Sequence, residues 1–241
     1  MIKFFRNIRK NLLNEDKTVK YIKYAFGEII LVVIGILIAL QVSNWNTQRN
    51  NTTAEQEVLA DLNTEIKSNI SALEKIIDEH EKSLVAGETI KSLIVDTDKL
   101  KNIPNDSLKP IIQLMNYNWT YDPKLGILNS VINSGRINLI QNKEIRYLLS
   151  SVKEYIVDAN ESTGVIGKIR GEYYWPMIAA KREVIDYQKP SFEYKKSFRD
   201  PEFAWWVNFI SVVRQEGLDE ENELLKFLEN INLKIDKELN K

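Results

Sequence analysis

Aromatic side chains form the densest group of residues that could bind a ligand or a partner. Tryptophan and tyrosine occur together at 119–121, 173–175 and 205–206, in or beside predicted loops and helix starts. Such rings join a large apolar surface to a polar tip, which is typical of binding surfaces. They predict either a pocket for a small apolar or sugar-like ligand or, as the favoured interpretation, bulky plugs at the ends of a helical bundle. The candidate residues are Trp119, Tyr121, Tyr174, Trp175, Trp205 and Trp206.

The other side chains offer little for catalysis. The chain has no cysteine, which excludes thiolate nucleophiles and ligands, and its single histidine, His80, is too few for an ordinary zinc site. It contains no phosphate-binding loop, dinucleotide fingerprint or nucleophile elbow. We therefore expect no enzyme activity, cofactor or metal. His80 falls on an apolar helical stripe, which predicts a hydrogen-bonded core histidine; a pH-sensing role is the alternative.

An apolar segment near the N-terminus predicts a membrane anchor. Residues 29–40 read IILVVIGILIAL, and their flanks extend the stretch to about the 20 residues that cross a bilayer. Tyr21, Tyr24 and Trp45 stand at its ends, as expected for an aromatic belt. A cleaved signal peptide is the competing interpretation, but the apolar run is long and no small-x-small cleavage site follows it. We predict a transmembrane helix over residues 24–45.

Charge predicts the orientation of this anchor. Residues 1–23 carry seven basic and two acidic side chains, a net charge of +5, although the whole chain carries −1. Basic residues before a first span stay in the cytoplasm, so residues 46–241 are expected outside it. Apolar positions in MIKFFRNIRKNLL share a stripe, which predicts an interfacial helix on membrane lipid; a solvated basic tail is the alternative. Because basic residues cluster beside the membrane, we expect no nucleic-acid partner.

One face of the span combines a carboxylate with small residues. This face comprises Glu28, Val32, Gly35, Ala39 and Val42. At 100° per residue, Gly35 and Ala39 lie within about 20° of Glu28, and such a small-xxx-small pair lets two helices approach closely. A carboxylate at this depth is costly unless it faces protein or water. We predict self-association along the face; alternatively, Glu28 reaches the headgroups and pairs with Lys20 or Lys23.

Beyond the anchor, apolar residues recur at helical spacing. Leu62, Leu73 and Leu84 repeat every eleven residues, which keeps a stripe on one side of a nearly straight helix. The pattern predicts a helix from near Thr53 to about Val95, with a short break from the span at residues 50–52.

Capping residues and helix breakers predict the remaining helices. Asp122-Pro123 and Asp200-Pro201 each join an Asp cap to proline at the first helical position. The first expected helix starts at Asp106 or Ser107, with Pro110 in its first turn, and the second runs from Pro123 to Ser134-Gly135. The third runs from Asn142 through residue 180 with a bend at Pro176. The fourth runs from Pro201 to about Leu239. The inner stripe of the last comprises Trp206, Val207, Ile210, Leu224, Leu228, Ile231 and Ile235. We predict an all-α bundle of three or four long antiparallel helices, with a short-helix insertion between Leu100 and Asn138.

Three segments also resemble a known group of proteins. YAFGEIILVVIGILIALQVSNWN, preceded by MIKFFRNIRKNLL, is similar to the N-terminal signature of an uncharacterised family of single-pass membrane proteins from Gram-negative bacteria. NSGRINLIQNKEIRYLLS and RDPEFAWWVNF resemble its other recurring segments. The resemblance implies an inner-membrane anchor with a cytoplasmic N-terminus and a helical periplasmic domain, and it implies no catalytic residues.

Two functions fit these observations. The first is a membrane-anchored interaction or scaffold protein that associates with itself or with another inner-membrane protein. The second is a periplasmic sensory or ligand-binding module, which would have to signal through a partner because only about 23 residues precede the span. A hydrolase or transferase is the least favoured class.

Overall fold

The computed structural model of the protein describes residues 18–180 and 194–241. It divides into a first unit that ends at Glu55 and a second unit, Gln56–Lys241. The α-helices are α1 Thr18–Val95, α2 Thr97–Asn102, α3 Asn105–Met115, α4 Gly126–Asn133, α5 Lys143–Ala159, α6 Glu161–Ile169, α7 Trp175–Ala180, α8 Tyr194–Ser197 and α9 Pro201–Leu239. A 3₁₀ turn covers Arg136–Leu139 and a π turn covers Arg170–Tyr174. The described residues contain no β-strand, so the all-α prediction is confirmed.

The first unit exposes its apolar side chains. From Ile29 to Val42, every large apolar side chain is between 46% and 62% exposed. This part of α1 is long and apolar enough to cross a membrane. The predicted break at residues 50–52 is wrong, because α1 is helical there and the Thr52 hydroxyl donates to the Gln48 carbonyl within the helix. The predicted leader helix lies almost wholly outside the described residues.

In the second unit, α9 is antiparallel to the other long helices. Along α1, Gln56 Nε2 donates to the Glu238 carbonyl and Asn63 Nδ2 donates to Asp236 Oδ1 over 2.8 Å, whereas His80 pairs with Glu221 further up. Along α5 and α6 the residue numbers likewise rise while those of their partners on α9 fall. Their pairs are Asn142 with Glu238, Tyr155 with Phe227, and Ser162 with Glu220. It follows that α1 and α5 run parallel to each other, which corrects the predicted bundle of long antiparallel helices at this pair.

A parallel pair requires the chain to travel back along the bundle between its members. Residues 97–139 supply this path. They comprise several short helices and the non-helical residues 116–125, and only residues 116–125 are here named the return segment. From the end of α3 through the return segment the chain descends along α1, because Met115 contacts Ser83, Trp119 contacts His80, and Lys124 contacts Asn69. The predicted insertion between Leu100 and Asn138 is therefore confirmed, and its structural task is to reverse the chain.

The core consists of two apolar clusters separated by polar residues. The lower cluster includes Leu59, Leu73, Ile145 and Leu228, and the upper cluster includes Ile90, Leu108, Ile166 and Trp206. The predicted inner stripe of α9 is buried at every position. Between the clusters lie buried polar residues, here named the polar layer: His80, Ser83, Asn116, Ser162, Thr163, Ser211, Arg214 and Glu221.

Local signals set some helix ends, and tertiary contacts override others. Asn142 caps α5 as predicted, accepting from Glu144 N over 3.0 Å, and Gly135 adopts a left-handed φ of 73° just after α4. The predicted start at Asp122-Pro123 is wrong, because α4 begins at Gly126. The earlier helix, α3, begins at Asn105, so Pro110 lies inside it and not in its first turn.

The predicted helix from Asn142 to residue 180 is interrupted. It ends at Ala159, resumes as α6, and passes through the π turn before α7. In this turn Trp175 N donates to the Arg170 carbonyl, so the register has gained one residue immediately before Pro176. Proline removes a donor from the ordinary hydrogen-bond ladder, and the π turn lies immediately before it. The break expected at Pro176 therefore occurs on its N-terminal side.

Candidate functional site

The return segment cannot satisfy its own peptide groups, because it forms neither helix nor strand. Side chains of the surrounding helices do so. Asn69 donates from Nδ2 to the Lys124 carbonyl over 2.7 Å and accepts from Lys124 N over 2.9 Å. Asn160 holds Tyr121 in the same bidentate manner, with distances of 3.0 and 3.1 Å. Asn69 on α1 and Asn160 in the turn between α5 and α6 thus fix the lower half of the segment.

The upper half of the return segment is held by the polar layer. Arg214 Nη2 donates to the Tyr117 carbonyl over 3.0 Å and to Asn118 Oδ1 over 2.7 Å. Trp119 N donates to His80 Nε2 over 3.1 Å. These contacts come from α9 and α1, so the segment is clamped between two long helices. The prediction of a hydrogen-bonded core histidine is confirmed.

The electrostatics of the polar layer centre on one cation and one carboxylate. Burial lowers the pKa of Arg214 to about 10, and the negative charge of Glu221 opposes that shift. Arg214 Nε and Nη1 and Glu221 Oε2 have no hydrogen-bond partner among the described residues. Glu221 Oε1 lies 2.7 Å from His80 Nδ1. At neutral pH the layer therefore holds a buried, incompletely paired guanidinium beside the contact between Glu221 and His80.

The clamped segment presents two aromatic rings at the surface. Tyr117 and Trp119 are 49% and 48% exposed, and their ring centroids lie 5.9 Å apart in a tilted arrangement. Tyr121 is instead buried, and its hydroxyl donates to the Asn69 carbonyl over 3.2 Å. Burial raises the pKa of this hydroxyl above its usual range. Of the predicted candidates in this segment, Trp119 is at the surface and Tyr121 serves the fold.

A second aromatic group surrounds a pocket of about 750 Å³ between α7 and the start of α9. Its lining residues are Tyr173, Tyr174, Pro176, Met177, Ala180, Pro201, Glu202, Trp205 and Trp206. Tyr174 and Trp206 form its inner wall, stacked with centroids 4.8 Å apart, whereas Trp205 is 55% exposed at its rim. Trp175 packs edge-on against Tyr174 outside the lining. Volume and lining both suit a small, largely apolar molecule.

The predicted transmembrane face lies on the exposed part of α1. Val32 and Val42 are 58% and 59% exposed, and a Cβ added to Gly35 would meet no atom within 4 Å. Ala39 is exposed and Glu28 is partly exposed. The face is therefore exposed from Val32 to Val42 within the first unit.

The described residues contain no cluster of three or more His, Cys, Asp or Glu side chains that could hold a metal ion. The side chains that hold the return segment, Arg214, Asn69 and Asn160, were not predicted as site residues from the sequence. A signal existed for Arg214 and Glu221, because both continue the three- and four-residue spacing of the apolar stripe on α9. A charged residue on such a stripe is buried by the same geometry that buries its neighbours.

These features define a class of protein: an all-α chain in which one exposed apolar helix is followed by a helical bundle with a polar layer. The model of a family of unknown function, DUF6090, matches residues 28–158, which is more than half of the chain. The chain belongs to this family, and the resemblance to an uncharacterised family is confirmed. Neither the curated proteins nor the solved structures contain a match to the chain.

Proposed function

We propose that the protein is a non-enzymatic interaction or scaffold protein, anchored in the bacterial inner membrane, that associates with itself or with another inner-membrane protein. The observation that carries the proposal is the exposed apolar stretch of α1 from Ile29 to Val42. Water does not tolerate an apolar surface of this length, whereas lipid does. The net charge of +5 on residues 1–23 favours a cytoplasmic N-terminus and a periplasmic bundle.

Self-association is supported by the face that contains Gly35 and Ala39. Lipid provides no hydrophobic drive between helices, so close backbone packing at small residues drives their association. Open space at Gly35 leaves room for a second backbone there. Association would also give Glu28 a protein environment in place of lipid.

Single-cysteine crosslinking tests this association, because the chain contains no cysteine of its own. In membranes of the native host, Ala39→Cys should crosslink efficiently and Leu37→Cys, about 160° away on the helix, should not. Adding Gly35→Leu should abolish the Ala39→Cys crosslink. Val33→Leu, which introduces the same side chain off the face, should leave the crosslink intact. Equal crosslinking at residues 37 and 39, or none at either, contradicts self-association.

Protease accessibility tests the topology separately. Protease added to spheroplasts should digest the bundle and leave a short N-terminal fragment. A bundle that stays intact until the membrane is permeabilised would place it in the cytoplasm and refute this orientation.

The pocket between α7 and α9 favours a second function, a ligand-binding module that signals through a partner. Protein purified from its native host in mild detergent should then release a small apolar molecule on denaturation, detectable by mass spectrometry. Trp205→Ala should reduce the amount that co-purifies, whereas Trp175→Ala, a change of the same size outside the lining, should not. A monomer that carries such a ligand would favour this function over assembly.

A further inference from the structure

The position of the proton on His80 follows from its two contacts. The Trp119 backbone N–H can only donate, so His80 Nε2, 3.1 Å away, is an unprotonated acceptor. A neutral imidazole carries its one N–H on the other nitrogen, and Nδ1 lies 2.7 Å from Glu221 Oε1. His80 Nδ1–H therefore donates to the carboxylate. The return segment in this position requires neutral His80 in the Nδ1–H tautomer.

A second proton on the ring conflicts with this arrangement. Imidazolium donates from both nitrogens, so Nε2–H would point at the N–H of Trp119. His80 is completely buried, and neither donor can turn to water while the segment stays in place. Two buried donors that face each other lose a hydrogen bond and gain a desolvation penalty.

We propose that the return segment is a proton-linked switch, in which protonation of His80 releases Trp119 and its exposed neighbour Tyr117 from the bundle. The sign follows from linkage: the clamped state holds His80 neutral, so raising the pH favours clamping and lowering it favours release. Histidine is the side chain whose charge ordinarily changes nearest neutral pH, so the switch is tested between pH 8 and pH 5. The switch goes beyond the proposed anchoring and assembly, because it changes which aromatic surface the bundle presents.

Other charged groups around His80 set the balance. On α9, Glu221 stabilises an imidazolium, whereas Arg214, which interacts electrostatically with Glu221, opposes it. The adjacent Glu220 is directed to Ser162 on α6, and its pKa is raised by burial. On α1, Lys82 pairs with Asp78 and Glu79 at the surface. Arg170, on the π turn, donates to the Asn116 carbonyl.

Because His80 is the only histidine, ¹⁵N-histidine labelling of the full chain, purified in detergent without a histidine tag, yields signals from one imidazole. At pH 8 the ring nitrogens should report the Nδ1–H tautomer. As the pH falls, they should change to imidazolium. A neutral Nε2–H tautomer at pH 8, or a ring that never protonates down to pH 5, overturns the proposal.

Hydrogen–deuterium exchange tests the release itself. Corrected for the intrinsic effect of pH, the exchange rate of peptides covering residues 116–121 should rise by up to about tenfold per pH unit as the pH falls toward the transition, as expected for one proton, and should level off below it. Peptides of α5 provide the internal control and should show no such rise. In His80→Gln the amide oxygen can accept from Trp119 without titrating, so the pH dependence should vanish.

A corrected exchange rate that is independent of pH in the unmodified protein overturns the switch, and so does an unchanged pH dependence in His80→Gln. If His80→Gln does not fold, Glu221→Gln replaces it. Loss of the carboxylate should then move both the imidazole transition and the exchange transition to lower pH by the same amount. Separate movement of the two transitions would show that His80 does not control the segment.

Discussion

Gly87, on α1, lies directly against Ser211 of α9. A Cβ added at residue 87 would lie 2.5 Å from Ser211 Oγ, but 3.6 Å from Met115 Cγ and 3.7 Å from Ser211 Cβ. The first distance is a clash and the other two are ordinary contacts. Ser211 Oγ is buried and has no hydrogen-bond partner among the described residues. One hydroxyl, and not the backbone of α9, therefore excludes alanine from this position.

The magnitudes follow from two opposing effects. Gly87→Ala should gain about 0.5–1 kcal/mol from the lower backbone entropy of alanine in a helix. Overpacking against Ser211 should cost about 1–3 kcal/mol, so the variant should lose between about 0 and 2.5 kcal/mol of unfolding free energy. Ser211→Ala removes an unbonded hydroxyl and should be close to neutral. The double variant should keep only the helix gain, about 0.5–1 kcal/mol above the unmodified protein.

Urea unfolding of the full chain in mild detergent, followed by tryptophan fluorescence, measures these changes. Thermal unfolding provides a second readout, in which 1 kcal/mol corresponds to about 2–4 °C for a domain of this size. Gly164→Ala is the matched control, because a Cβ there meets nothing within 4 Å and should give the helix gain alone. The reasoning is refuted if Gly87→Ala is as stable as Gly164→Ala, or if Ser211→Ala fails to rescue it.

Three further substitutions test the contacts that order the second unit. Asn69→Ala removes both hydrogen bonds to Lys124 and should cost about 1–3 kcal/mol in urea unfolding, whereas Asn63→Ala, nearer the surface, should cost less. Glu65→Gln removes the carboxylate that accepts from two N–H groups at the start of α4 and should cost about 1 kcal/mol, checked by the same unfolding measurement. The hydrogen bond from Lys67 lowers the pKa of Asp236, so this carboxylate stabilises the fold above its ordinary pKa and loses that effect as the pH falls through the lowered value. Asp236→Asn should therefore flatten the fall in stability on acidification, and an unchanged pH profile would contradict the assignment.

Local sequence patterns predicted the elements whose signals lie within one segment. Asp200 caps α9, accepting from Glu202 N over 3.0 Å, and the helix extends to Leu239 as its apolar spacing predicted. The eleven-residue period gave the course of α1 to Val95, because burial of that stripe depends only on helical geometry. Capping residues and periodicity act over a few residues, so a single sequence records them directly.

Contacts between distant segments could not be predicted in this way. The helix start expected at Asp122-Pro123 moves to Gly126 because Glu65, sixty-two residues earlier, supplies the carboxylate for Ile127 N and Leu128 N. The parallel course of α1 and α5 was missed for the same reason. The residues of the two helices do not indicate their relative direction. That direction depends on the length and path of the chain between them.

The parallel course of α1 and α5 explains why the interior of an apolar bundle contains charge. It makes the chain return in a non-helical form, whose peptide groups must find partners inside the bundle. Leu or Ile in place of Arg214 or His80 would leave the Tyr117 carbonyl and the Trp119 N–H unsatisfied, at a cost comparable to the hydrogen bonds lost. Asparagine and arginine meet this demand without titrating at neutral pH. His80 alone can lose its acceptor by gaining a proton, so the same contact that completes the fold makes the exposed pair Tyr117 and Trp119 responsive to pH.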